Sequence, residues 1–109
     1  MNPAALVRQY YDALDENDYA ALESVLAPAF VQRRPDRTFE NREAFVQFMR
    51  EKRPNTDTNH DLESIVVDAD RERVAVRGRV VDGDTLLFEF ADFFELEDGR
   101  LVRLETYSR

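Results

Sequence analysis

A chain of 109 residues and 12.8 kDa is enough for a single domain with one core, burying about two-thirds of the surface its unfolded form exposes. It has no cysteine and one histidine, which excludes a disulfide framework, thiol chemistry and a zinc-type ligand set, so no metal or cofactor is expected. Acids outnumber bases by 23 to 15, and the formal charge of -8 repels nucleic acid and anionic membrane surfaces; with no long apolar run and no basic-then-apolar leader, a soluble cytoplasmic protein is expected.

The first half reads as helices. Asn2 caps and Pro3 opens a helix whose apolar stripe is Leu6, Val7, Tyr10, Tyr11 and Leu14. Asp18 caps a short second helix through Tyr19, Leu22, Val25 and Leu26, stopped by Pro28; Asn41 caps a third, with Phe45, Phe48 and Met49 on one face, ending before Pro54. Between them Phe30 to Arg34 and Thr38 to Glu40 read as short strands. The second half is strand-like: His60 to Asp68, Arg73 to Val81, Thr85 to Glu97 and Leu101 to Tyr107, separated by Asp/Gly turns. Helices first and an antiparallel meander second, with no repeat or linker, make an α+β domain over residues 1–109 in which three helices cover one sheet face.

Alternate strand residues share a face, so Leu86, Phe88, Phe90, Asp92, Phe94 and Leu96 are expected to look inward. Three-residue loops at Asp82-Gly83-Asp84 and Asp98-Gly99-Arg100 set Gly78 opposite Phe88, Val76 opposite Phe90, Val102 opposite Leu96 and Leu104 opposite Phe94. The same register pairs Arg77 with Glu89, Arg103 with Glu95, Glu63 with Arg77 and Asp61 with Arg79 on the outer face. It leaves Phe93, Leu101, Ile65, Val67 and Tyr107 as an outer apolar patch, expected to form a homodimer. Gly78 is expected to open room beside Phe88.

Asp92 is the one carboxylate on the inner face, with Thr106 across from it. An ionised carboxylate among apolar neighbours costs several kcal/mol unless paired, hydrogen-bonded or protonated. Two readings follow: an anchor satisfied by Thr106 and a first-helix tyrosine, or an acid/base at the floor of a pocket. Gln32 and Arg34 share the inward parity of Phe30, and Phe48, Met49, Phe88 and Phe90 supply apolar wall. His60 has inner parity too, but the register sets it beside Val80 and Leu86, six residues from Asp92, or roughly 20 Å at ~3.3 Å per residue, so it belongs to the rim. Fourteen of the fifteen cations are Arg, with Lys52 the exception, which fits a salt-adapted cytoplasm as well as it fits a GC-rich genome.

The stretches "VRQYYDAL", "APAFVQRRP", "NREAFVQFM" and "ADFFELEDGRLVRLETY", in that order over nearly the whole chain, resemble the nuclear transport factor 2-like superfamily, in its branch of SnoaL-like polyketide cyclases and ketosteroid isomerases. The resemblance implies a cystatin-like cone: a curved antiparallel sheet with a mixed edge, three N-terminal helices on its concave face, a ligand cavity at the open end and a dimer through the outer face. It implies that Asp92 is the acid/base carboxyl and Tyr10 a hydroxyl donor, acting on a small apolar or polycyclic carbonyl compound. It departs at Arg34, which stands where the isomerases carry their general base, and a guanidinium cannot abstract a proton. The expected function is a pocket protein with cyclase- or isomerase-like acid/base chemistry; the alternative is a non-catalytic ligand-binding or protein-interaction module.

Overall fold

In the computed structural model, which describes residues 2–109, each helix begins where a side-chain oxygen caps it. Asn2 accepts from the Ala5 amide at 3.0 Å to open α1 (Pro3–Asp15), Asp18 from Ala21 at 3.1 Å to open α2 (Tyr19–Val25), and Asn41 from Ala44 at 2.8 Å to open α3 (Arg42–Glu51). Each bond satisfies an amide that the first turn leaves without an intrahelical partner. α2 ends at Val25, one residue before the expected limit, because the chain is already extended at Leu26, where β1 (Leu26–Arg33) starts. Pro28 therefore sits inside a strand, in the irregular stretch of pairing between Leu26 and Val31 where its missing N–H costs no ladder bond. β1 stops at Arg33, short of Arg34, and β2 (Thr38–Phe39) is a residue shorter than expected.

The remaining strands are β3 (Asn59–Asp68), β4 (Arg73–Asp82), β5 (Thr85–Glu97) and β6 (Arg100–Ser108), with a 3-10 turn at Ala69–Arg71. The sheet runs β2-β1-β6-β5-β4-β3, antiparallel except where β1 lies parallel to β6. Three helices on one face of a six-stranded, curved, mixed sheet make the α+β cone. The core lies between the layers: Val7, Tyr10, Tyr11, Leu22 and Phe45 from the helices meet Val74, Val76, Phe94 and Leu104 from the sheet. Among the described residues no helix is long and apolar enough to cross a membrane.

The strand pairing corrects the expected register. Both hairpin loops have two residues; Asp98 and Gly99 supply it for β5–β6, both at positive φ (52° and 75°), as a two-residue turn of this hand requires. A loop one residue shorter shifts every pair by one, and a bulge then either restores or compounds the shift. In β6 the extra residue is Val102, so Leu101 rather than Val102 faces Leu96, and the expected pairs Arg103–Glu95, Leu104–Phe94 and Thr106–Asp92 are recovered. In β5 the extra residue is Leu87, on the other strand relative to its loop, so the shift grows: Gly78 faces Phe90, Val76 faces Asp92, and Arg77 faces Ala91 instead of Glu89. Glu63 is the extra residue of β3, which sets Ser64 opposite Arg77 in its place, while Asp61 and Arg79 pair as expected at 2.7 Å.

The bulges also move residues between faces. Leu101 is fully buried and Ile65 packs against the core, so neither belongs to the outer patch. Leu86, expected inside, pairs with Val81 across the bulge, on the face opposite buried Val80, and is 51% exposed; Phe88 faces Val80 and stays on the inner face, 40% exposed where it lines a cavity. Gly78 opens no room, since the Phe90 ring fills the space: a Cβ there would lie 2.6 Å from the Asp61 carbonyl oxygen and 2.9 Å from Phe90 Cζ. Gly78→Ala is expected to cost about 1–3 kcal/mol in urea unfolding, since one of the two clashes is with backbone that cannot rotate away.

Candidate active site

A cavity of about 410 Å³ opens between the helices and the inner sheet face, within the size range of small-molecule sites. All ten residues singled out in the sequence line it: Tyr10, Gln32, Arg34, Phe48, Met49, His60, Phe88, Phe90, Asp92 and Thr106. Each arrives by its element's own logic. Tyr10 comes from the buried stripe of α1, Phe48 and Met49 from that of α3, and Gln32 and Thr106 from neighbouring strands near the β1–β6 seam. Arg53, Thr58, Val80 and Leu87 are among the remaining lining residues that carried no sequence signal, Leu87 entering through its bulge.

Asp92 is 5% exposed at the floor of this cavity, and both of its oxygens are held. The Tyr11 hydroxyl donates to Oδ2 at 2.5 Å and the Thr106 hydroxyl donates to Oδ1 at 2.6 Å. The tyrosine that reaches Asp92 is thus Tyr11. Tyr10, the expected donor, lines the cavity beside it, edge-on to the Tyr11 ring at 5.1 Å and to Phe94 at 5.4 Å. Burial raises the Asp92 carboxyl above the usual carboxylate range; the two hydroxyl donors and the nearby His60 and Arg34 charges oppose this without cancelling it. Burial likewise raises both tyrosines, with the Asp92 charge adding to the effect, so both keep their protons and remain donors.

The chain of hydroxyls continues outward. Gln32 is 5% exposed and donates from Nε2 to Thr106 Oγ1 at 2.9 Å, while its Oε1 is buried with no partner. As drawn, the polarity runs Gln32 to Thr106 to an ionised Asp92. Turning the Gln32 amide over reverses it: a protonated Asp92 donates to Thr106, which donates to the Gln32 oxygen that is otherwise orphaned. The network therefore accommodates both protonation states of the carboxyl, which is what a proton-exchanging group needs.

Arg34 stands at the mouth, its side chain 28% exposed and paired through Nε with Asp36 at 3.2 Å, so its guanidinium reaches Asp92 by field and not by contact. The Arg37 guanidinium lies over the Phe48 ring at 4.5 Å. His60 also departs from expectation. It faces Val80 and, through it, Phe88, two residues nearer Asp92 than the expected register set it, and its ring packs on Tyr11 at 5.1 Å and Phe90 at 5.7 Å. Tyr11 thus stands between His60 and Asp92. Nδ1 of His60 meets Asp15 Oδ1 at 2.6 Å, and the His60 amide also donates to that carboxylate at 3.1 Å. Asp15 had no mark in the sequence, since one acid at a helix end is what an acidic chain shows everywhere. Among the described residues no group of His, Asp and Glu is placed to hold a metal ion.

Comparison with known proteins places this geometry. No curated protein matches the sequence. Among solved structures, a candidate ketosteroid isomerase from Kribbella flavida superposes with a TM-score of 0.86 at 22% identity, covering 98% of this chain and 77% of the other. A candidate polyketide cyclase from Sinorhizobium meliloti gives a TM-score of 0.81 at 21% identity over 98% of this chain and 100% of the other. A cystatin-like protein of unknown function from Methylobium petroleophilum gives 0.83 at 17% identity, over 97% and 74% respectively. Likeness at these identities shows the fold. The family model of the SnoaL-like domain matches residues 7–104, all but the two ends, and the chain belongs to that family, within the nuclear transport factor 2-like fold.

Proposed function

We propose that the chain is a small-molecule enzyme that binds an apolar carbonyl compound in the cavity and uses the Asp92 carboxyl to give a proton to, and recover it from, the carbonyl oxygen. One observation carries the reading: a buried carboxyl with a raised pKa lies on the floor of an apolar-walled cavity, inside a hydrogen-bond chain that serves either protonation state. Tyr10 and Gln32 steady the enolate, and the apolar wall of Phe48, Met49, Phe88 and Phe90 selects an apolar or polycyclic body. The names of the similar isomerase and cyclase structures agree with this chemistry, and the resemblance, which sets Arg34 where the steroid isomerases carry their base, makes a cyclase-type reaction the nearer of the two. An Asp-Arg-Asp hydrolase set is not supported, since Arg77 and Arg79 are exposed on the outer face.

The test is deuterium uptake. β-Tetralone, a bicyclic ketone with acidic α-hydrogens, incubated in D2O should exchange faster with the protein than in buffer. A second reading, a non-catalytic binding module in which Asp92 anchors α1 to the sheet, is favoured by the full satisfaction of both carboxylate oxygens; it predicts saturable binding with no exchange.

The reading includes a homodimer through the outer sheet face. Phe93 and Tyr107, 51% and 56% exposed, stack edge to face at 5.8 Å, and Val66 nearby is 63% exposed. Phe93→Glu is expected to convert a dimer to a monomer in sedimentation velocity while leaving the fold intact; an unchanged sedimentation coefficient sinks the interface.

A further inference from the structure

We propose that His60, oriented by Asp15, is a second catalytic group of the cavity: the general base that removes a proton from the substrate carbon while Asp92 protonates the carbonyl oxygen. This rests on the acid reading of Asp92 and assigns the base that Arg34 cannot be.

The geometry is that of an oriented imidazole. A carboxylate only accepts, so the 2.6 Å contact puts a hydrogen on Nδ1, and in the neutral ring it is Nε2 that carries the lone pair. His60 lines the cavity, and Nε2 has no hydrogen-bond partner among the described residues. The ring cannot swing: Tyr11 and Phe90 pack against it, and the His60 amide ties the backbone to the same carboxylate. The side chain is 15% exposed, enough to trade a proton with solvent, whereas Asp92 is sealed below. Both groups line the same cavity as Tyr10 and Phe90, with Tyr11 bonded to one and packed against the other.

The step balances. The substrate C–H bond breaks and its proton goes to Nε2; the electron pair becomes the C=C bond of an enol; the carbonyl π pair becomes an O–H bond with the Asp92 proton. What remains is an imidazolium facing Asp15 and a carboxylate accepting from Tyr11 and Thr106. If the enol carbon attacks a second carbonyl in the same molecule, the enol O–H proton returns to Asp92, the new alkoxide takes the proton from the His60 imidazolium, and a ring closes; if it takes a deuteron from exchanged His60 while the O–H proton returns to Asp92, label enters the substrate.

The experiment is the β-tetralone exchange in D2O with wild type, His60→Gln, Asp15→Asn and Asp92→Asn, together with the nitrogen NMR spectrum of the single histidine. Wild type should show hydrogen on Nδ1. His60→Gln should lower exchange by about 10²–10⁴-fold while still binding ketone. Asp15→Asn should move the hydrogen to Nε2 and lower exchange to a comparable degree. An Nε2–H tautomer in wild type, or full exchange by His60→Gln, overturns the assignment of the base and leaves Asp92 standing. Loss in His60→Gln with full exchange in Asp92→Asn keeps the base and overturns the acid; absence of exchange in wild type overturns both.

Discussion

Asp92→Asn should lower carbonyl turnover by about 10²–10⁴-fold and yet leave a chain at least as stable as wild type at neutral pH. The folded carboxyl titrates above its unfolded value, because burial outweighs its donors, so the native state binds this proton more tightly than the unfolded one. Its contribution to stability is whole below the unfolded value and is lost as pH rises through the folded value. At neutral pH the wild type carries that penalty; asparagine does not. The amide also fits the reversed hydrogen-bond chain, with Nδ2 donating to Thr106, the Thr106 hydroxyl turning to the Gln32 oxygen, and Oδ1 still accepting from Tyr11. The advantage of the variant in melting temperature should shrink on acidification. Asp92→Ala differs: it orphans the Tyr11 hydroxyl and should lose about 1–3 kcal/mol. Full turnover in Asp92→Asn would remove the acid from the mechanism.

Phe94→Ala should lose about 3–5 kcal/mol, a fifth or more of the roughly 5–15 kcal/mol that a domain has. Phe94 is 1% exposed and its ring meets both tyrosines edge-on, Tyr10 at 5.4 Å and Tyr11 at 5.9 Å. Its removal leaves a void against α1 and frees the phenol that holds Asp92. The urea midpoint should fall without a change in slope, and any residual activity should fall with it; Phe94→Leu should keep most of both. An unfolding free energy within about 1 kcal/mol of wild type for Phe94→Ala would show that the layers do not pack through this ring.

What was legible in the sequence were the features that local chemistry decides. Asn2, Asp18 and Asn41 cap where a short polar side chain precedes an apolar period, and the strand limits fall near their Asp/Gly turns. Register was legible directly in β3 before its bulge, where Asp61 faces Arg79, and in β6 because two errors cancelled. Val102 and Leu87 are both single extra residues, and nothing in their identity shows on which strand the extra residue falls; in β6 the expected partners survived, in β5 they did not. The carboxyl of Asp92 stood out because it broke an apolar alternation. Its partner did not, because Tyr10 and Tyr11 both lie in the buried stripe of α1, and only the angle at which that helix crosses β5 decides between them. Asp15 and His60, separated by 45 residues, are joined only by the docking of the end of α1 on the start of β3.

The parallel pairing of β1 with β6 has a consequence for biogenesis. Gln32 reaches its partner 74 residues downstream, so the ribosome releases β1 several seconds before the strand that shelters it, at roughly 5–20 residues per second. In that interval β1 is a naked edge, and Pro28 and the exposed Arg33 are its protection against pairing with a neighbouring nascent chain. The floor of the cavity, with its Gln32, Thr106 and Asp92 chain, is consequently completed only once β6 has emerged.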